Sequence, residues 1–253
     1  MLKHPTLEKL YAMKLFGMAK TFKEQMNQPE ADGISFEDRF ALLVDREATE
    51  RENRRLRIRL KNAKLKMSAC VEDIDYRSPR GLDKALLMRL FDCDWVRSSQ
   101  NVLVVGPTGT GKTFIACALG QKACREGHAV LYRRMPRLFE ELEQAKGEGR
   151  HLKLLTSFAK ADLLILDDWG LAPLENDQRR DLLEILDDRH GTRSTLVTSQ
   201  LPIDHWHEMI GDATLADAIL DRLVHNAHKI KMRGESMRKR KAGTKESLTE
   251  TDQ

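Results

Sequence analysis

The 253-residue chain is poor in cysteine, in aromatic residues and in long apolar runs, and each shortage closes off a class of function. The four cysteines, Cys70, Cys93, Cys117 and Cys124, form no C-x-x-C pair. Buried, reduced thiols of a cytosolic protein are the simplest reading. His205 and His207 flank Trp206, and His225 and His228 sit at helical spacing, but no further metal ligands stand nearby, so no zinc site is expected. No apolar stretch approaches the length that crosses a bilayer, which argues against a membrane partner. The opening MLKHPTLEKLYAMK carries charges inside its apolar stretch and does not read as a signal peptide. Aromatic residues make up 6% of the chain. Tyr11, Phe16 and Phe22 are expected in the core, and Trp169 and Trp206 as packing anchors rather than base-stacking platforms. No internal repeat is visible.

What the chain has is charge. Asp, Glu, Lys and Arg make up 32% of it, the net charge is +4, and the pI is 8.8 with a mean hydropathy of −0.51. A soluble, mildly basic chain allows a polyanionic partner without demanding one.

The most informative stretch is NVLVVGPTGTGKTFIACALG, residues 101–120. Asn101 to Val105 is continuous and β-branched, which predicts a buried strand; Phe114 onward predicts a helix. The loop between them, Gly106, Pro107, Thr108, Gly109, Thr110, Gly111, Lys112 and Thr113, fits G-x-x-x-x-G-K-[ST]. Glycines let the backbone curl until several N–H groups point at one anion, and the helix N-terminus adds its dipole there. Lys112 then reaches the outer phosphates of ATP, and the Thr113 hydroxyl is placed to ligate Mg²⁺.

Around this loop the pattern alternates: strands at 101–105, 129–133, 162–167 and 194–199, with helices at 112–126, within 136–160 and at 175–189. That order predicts a parallel sheet flanked by helices. The chain is expected to be helical again after 202. Residues 1 to about 66 read as all-helical, with Leu15, Met18, Ala19, Phe22 and Met26 on one face and Ser35-x-x-Asp38 resembling a helix-capping box. Residues 70–98 read as a connector plus a helix near 81–91. The expected division is a helical domain at 1–70, a nucleotide-binding domain at 71–240 and a basic, polar and disordered tail at 241–253.

ADLLILDDWG, residues 161–170, predicts a buried strand that ends in Asp167 and Asp168. Ligands gather at the carboxyl ends of strands in such sheets, which places this pair beside the phosphate loop. One carboxylate is suited to holding the Mg²⁺ shell and the other to orienting or deprotonating a water. If the 194–199 strand lies between the two strands that carry these groups, Ser199 or Gln200 faces the γ-phosphate. The segment 46–66 holds Arg54, Arg55, Arg57, Arg59 and Lys61 along a helix. Two readings stand for it: a solvated face, or a surface laid against nucleic-acid phosphates.

GPTGTGKT, LLILDD, the TSQ strand end and ILDRLVH together resemble an AAA+ ATPase of the initiator and helicase-loader group. LEKLYAMKLFGMAKTF, DLLILDDWGLAPL, LVTSQLPIDHWHEMIGD and ADAILDRLVHNAHKIKMRGESMRK resemble the IstB-type ATPases that assist insertion-sequence transposases. The resemblance covers about residues 5–240. It implies an AAA+ P-loop fold, with Lys112 and Thr113 at the Walker A positions and Asp167 as the metal carboxylate. Asp168 matches the hydrolytic acid, a position commonly held by Glu, and Gln200 matches the first sensor. Arg222 matches an arginine finger that a neighbouring subunit inserts; Arg238, in GESMRK, is not expected to act as a second sensor, because the C-terminal helical lid that accompanies one is missing. Helices 136–160 match an initiator-type insertion, with Arg133, Arg134, Arg137, Lys146, Arg150 and Lys153 turned toward DNA.

The expectation is an ATP- and Mg²⁺-dependent ATPase, cytoplasmic and on the bacterial nucleoid when bound. It would form a homo-oligomeric spiral or ring on double-stranded DNA and recruit or stimulate the transposase of the same element. The rivals are a DnaC-type helicase loader and a DNA scaffold that uses ATP only as an assembly ligand.

Overall fold

The computed structural model describes residues 4–27 and 33–237. Arg238 and the tail at 241–253 therefore lie outside the described residues. The chain divides into two compact units, Met1–Ile58 and Arg59–Gln253.

The first unit is helical: α1 (Pro5–Ala12), α2 (Phe16–Met26) and most of α3 (Phe36–Ala63). α3 starts where the sequence indicates, because the Ser35 hydroxyl accepts from the Asp38 N–H at 3.1 Å. α2 has no capping side chain of its own. Glu47 of α3 serves instead, accepting from the Gly17 N–H at 2.7 Å and the Met18 N–H at 3.3 Å. Burial pushes the Glu47 carboxyl up, but Arg51 and those two N–H groups together hold it below its ordinary value. Gly17 is required here, since a Cβ would lie 2.7 Å from the Arg46 carbonyl oxygen. Two of the aromatics expected in the core are not there. Tyr11 is 49% and Phe16 44% exposed. A unit this small has little interior, and the Phe16 ring lies under the Arg54 guanidinium instead, 5.1 Å away. An apolar groove of about 610 Å³ in this unit is lined by Leu10, Phe22, Phe40 and Leu43 among other described residues.

The second unit carries the sheet. After α4 (Lys84–Phe91) and α5 (Asp94–Arg97) come β1 (Asn101–Val105), α6 (Lys112–Arg125), β2 (Val130–Arg134), α7 (Met135–Gly147) and α8 (His151–Lys160). Then follow β3 (Leu163–Trp169), α9 (Asn176–Arg189), β4 (Ser194–Ser199), α10 (Trp206–Ile210), α11 (Ala213–Val224) and β5 (Ala227–Lys231). The strand order is β2-β3-β4-β1-β5, and every described pair is parallel. β1, β3 and β4 are buried along nearly their whole length, as their continuous apolar sequences predict. The expectation of helix throughout the region after 202 is overturned by β5. Its sequence, AHKIK, buries only Ile230 fully, because it is an edge strand on β1 and has one neighbour.

The core beneath the sheet contains Leu103, Phe158, Leu164, Leu182, Ile219 and Leu223, all fully buried. Trp169 and Trp206 pack ring to ring at 4.9 Å and are at most 2% exposed, as expected of anchors. Replacing either by Ala should cost about 3–5 kcal/mol. Arg189, 1% exposed, donates to the carbonyls of Phe158, Ala161 and Ser194 and so ties α8, α9 and β4 together. Burial holds its guanidinium down to about 9.

Candidate nucleotide site

β4 lies between β1 and β3, so the loop after β1 and the acids at the end of β3 share one end of the sheet. α6 begins at Lys112, directly after Gly111. The Lys112 ammonium donates to the carbonyls of Gly106 at 2.7 Å and Pro107 at 2.9 Å, holding the loop curled. The glycines also answer to a segment that the sequence does not connect with them. Beyond β5, residues 232–237 run over the loop, with Met232 N–H on Val105 O at 2.7 Å and Met237 N–H on Gly109 O at 2.9 Å. Gly106 and Gly109 both have positive φ, and a Cβ would overlap Met232 O at the first and the Ser236 side chain at the second. Arg80 braces the other side, donating to Thr110 O at 3.1 Å and Asp75 O at 2.5 Å while 6% exposed.

Asp167 is fully buried. Its Oδ1 accepts from Thr198 at 2.5 Å, and the Thr113 hydroxyl lies 2.9 Å from Oδ1 and 3.1 Å from Oδ2. Tyr132 donates to Oδ2 at 2.5 Å, and the Lys66 ammonium lies 3.5 Å from the same oxygen. Burial and the hydrogen bond to Asp167 push the Tyr132 phenol far up, so it stays a donor. A Thr hydroxyl beside a buried carboxylate supplies the hard oxygen donors that Mg²⁺ prefers, so Thr113 and Asp167 fit the ion.

Neighbouring side chains on a strand point to opposite faces, yet Lys66 reaches both acids, with Asp168 Oδ2 at 3.9 Å. The reason is a register irregularity between Leu166 and Trp169, with Asp168 at a φ of +64°. A bulge of this kind turns one residue back onto the face of its neighbour. Asp and Asn tolerate that backbone better than Glu, at a cost of about 1 kcal/mol. Asp at position 168 therefore suits its local conformation. Asp168 accepts from Arg134 Nε at 2.8 Å, and its own N–H donates to Thr198 Oγ1 at 3.1 Å. The hydrogen bond with Asp168 holds the Arg134 guanidinium firmly protonated.

The remaining sequence-selected residues fall in several places. Ser199 is buried and turned inward, donating to Trp169 O at 3.0 Å. Gln200 lines a cavity of about 460 Å³ together with Gly106, Pro107, Lys231 and Arg233. Arg222 is at the opposite end of the sheet. Asn101, at the start of β1, donates to Arg222 O at 2.9 Å and so fixes the end of α11. The Arg222 guanidinium meets Asp187 at 2.7 Å and is 26% exposed. A five-residue strand spans roughly 16 Å, so this arginine is separated from the phosphate loop of its own chain by the length of β1. Among the basic residues, Arg54, Arg55, Arg57, Lys61, Arg137 and Lys153 are exposed. Arg59 is tied to Cys124 O at 2.8 Å and Arg133 to Glu141 at 2.8 Å. Arg134 belongs to Asp168. Sequence reasoning misses Lys66, Tyr132, Thr198 and Arg80. The period-two spacing of Tyr132 and Arg134 is the available signal, since it puts both on one face of β2.

A parallel sheet of this order, a phosphate loop between β1 and α6 and acids at the end of the adjacent β3–β4 pair define a P-loop nucleotide-binding domain of the AAA+ class. Solved structures agree on the fold. The crystal structure of DnaI matches with a TM-score of 0.57 at 21% identity, over 65% of this chain and 90% of that one. The DnaC helicase loader matches with 0.52 at 21% identity, over 68% and 97%.

The sequence comparisons go further. The profile of the IstB-like ATP binding protein family matches residues 8–245, and the chain belongs to that family. An insertion sequence ATP-binding protein of Sinorhizobium fredii is 54% identical over 94% of this chain and 98% of its own length. The IS21 insertion sequence ATP-binding protein of Pseudomonas aeruginosa is 33% identical over 92% and 89%. The resemblance drawn from the motifs is thereby borne out, as is the AAA+ P-loop fold.

Proposed function

We propose that the chain hydrolyses ATP with Mg²⁺ in an ATP-dependent homo-oligomer on double-stranded DNA, and in that form recruits or stimulates the transposase of its element. The observation that carries the hydrolytic part is the aimed acid pair. Two adjacent carboxylates share one face beside a phosphate loop, which is the arrangement a water nucleophile needs. The likeness to insertion-sequence ATP-binding proteins supports the transposition setting.

In this reading the N–H groups of 106–113 and the Lys112 ammonium hold the phosphates, and Thr113 with Asp167 holds the metal. Bound Mg²⁺ would neutralise charge on the β- and γ-phosphates. Asp168 accepts the proton of the attacking water or orients it. Gln200, which lines one cavity with Gly106 and Pro107, hydrogen-bonds the terminal phosphate in this reading. Arg222, remote from its own loop, faces the loop of a neighbouring subunit and stabilises transition-state charge there. The exposed cations Arg54, Arg55, Arg57, Lys61, Arg137 and Lys153 bind DNA through its phosphates, because they are spread along helices without a base-reading pattern. Nucleoid association follows from that binding.

The test is ATP turnover with and without duplex DNA, paired with duplex binding measured with ATP, with ADP and without nucleotide. Turnover that DNA stimulates, and binding that ATP strengthens, are expected. ATP binding and assembly without turnover would replace the enzyme by a scaffold, and equal duplex affinity in all three nucleotide states would remove the ATP-gated assembly. The DnaC likeness is one of fold, and the insertion-sequence relatives favour the transposition reading.

A further inference from the structure

Asp167 has no acceptor position to spare. A carboxylate offers about four lone-pair sites on two oxygens. Four donors meet them: Thr198 on Oδ1, Tyr132 and Lys66 on Oδ2, and Thr113, whose single proton is shared between the two oxygens. A metal ion, or water bound to it, can reach this carboxylate only if one of these donors leaves. Tyr132 is 6% exposed and Thr198 is fully buried. Thr113 is itself part of the site. Lys66 is the loosest, at 3.5 Å where the others stand at 2.5–3.1 Å, and its side chain is 34% exposed.

Charge gives the same answer. Among the described residues, the cations paired with Asp167 and Asp168 are Lys66, on both, and Arg134, on Asp168. Lys66 therefore already offsets carboxylate charge where a metal ion would bind. An ammonium between two carboxylates occupies the kind of position that a divalent cation would take, and the two cations would repel one another strongly in a partly buried setting.

The chain beside Lys66 is held on α6, and the Lys66 side chain reaches the acids from a partly exposed position. The side chain of Leu65, next to Lys66 in the chain, packs beside Gly120 of α6. A lysine on an anchored backbone with a four-carbon stem can swing without moving the chain.

We propose that Lys66 is an internal counter-cation of the Asp167–Asp168 pair that competes with Mg²⁺ and withdraws when magnesium nucleotide binds. It offsets the charge of the acid pair in the nucleotide-free protein and sets the Mg²⁺ level at which the site loads. The inference rests on the reading of Asp167 as the metal carboxylate.

The experiment is a titration of the full-length protein, at fixed fluorescent ATP analogue, with Mg²⁺ while anisotropy reports binding. Affinity in EDTA serves as each variant's own reference. In Lys66→Met the Mg²⁺ midpoint should fall about tenfold, because a competing unit charge is gone. Lys66→Arg keeps the charge and should retain a midpoint within about twofold of the parent. An unchanged or raised midpoint in Lys66→Met, with the thermal transition kept, overturns the proposal. Asp167→Asn run alongside separates the two failures. If that variant keeps the parent's Mg²⁺ dependence, the metal assignment is wrong. If it loses the dependence while Lys66→Met stays at the parent midpoint, the counter-cation alone is wrong.

Discussion

The two ends of the sheet are built on opposite plans. At the carboxyl end the functional groups touch: Lys112 holds its own loop, Thr113 and Thr198 meet at Asp167, and Arg134 meets Asp168. At the amino end Arg222 stands apart, with Asn101 fixing its helix and Asp187 as its ion-pair partner. The first end is a site almost finished within one chain. The second presents a guanidinium with no phosphate loop of its own within reach, held by an exposed ion pair that exchanges at little cost. In the proposed function this contrast is read as one site divided between subunits.

The largest expected effect belongs to the finished end. Lys112→Ala removes both the main positive group facing the phosphates and the two hydrogen bonds that curl the loop, and should weaken ATP binding beyond detection in a calorimetric titration. Unchanged affinity would break the assignment of this end altogether.

Next is Asp168→Asn. Asn keeps the left-handed backbone and the hydrogen bond from Arg134 but accepts no proton. Turnover should fall on the order of 10²–10⁴-fold while ATP affinity changes little. Single-turnover kinetics beside a binding isotherm checks both halves. Retained turnover would move the base elsewhere.

A smaller and more graded effect is expected from Arg54→Ala, Arg55→Ala and Arg57→Ala together. Duplex affinity should drop on all sequences alike, and the log–log salt slope should become shallower by roughly one for each DNA phosphate no longer neutralised. ATP turnover without DNA should stay near the parent value, because these side chains lie outside the nucleotide site. A salt slope identical to the parent's would remove this helix from the DNA surface.

The carboxyl end is largely legible in the sequence, and for local reasons. The phosphate loop depends on glycines and on its flanking strand and helix, all contiguous, and β1, β3 and β4 announce themselves as continuous apolar runs. What the sequence conceals is set by strand order. Tyr132 and Arg134 acquire their meaning because β2 pairs with β3, with Arg134 opposite Asp167. Without that neighbour Arg134 reads as a DNA-facing cation. The bulge that aims Asp168 has no signature in LLILDDWG beyond the Asp itself. β5 reads as helix because an edge strand with one buried position carries no apolar run. Arg222 stands out by resemblance, but the hydrogen bond from Asn101, 121 residues away in the chain, has no local signal.

The most direct test of the shared site mixes two broken proteins. Lys112→Ala keeps Arg222 but cannot hold ATP, and Arg222→Ala holds ATP but cannot complete a neighbour's site. Each alone should be inactive in a phosphate-release assay. Mixed at equal concentration with duplex DNA, they should recover a measurable fraction of parental turnover, because an intact Arg222 then faces an intact loop at some subunit boundaries. No recovery at any ratio, with both variants folded and shown to co-assemble, would contradict the account.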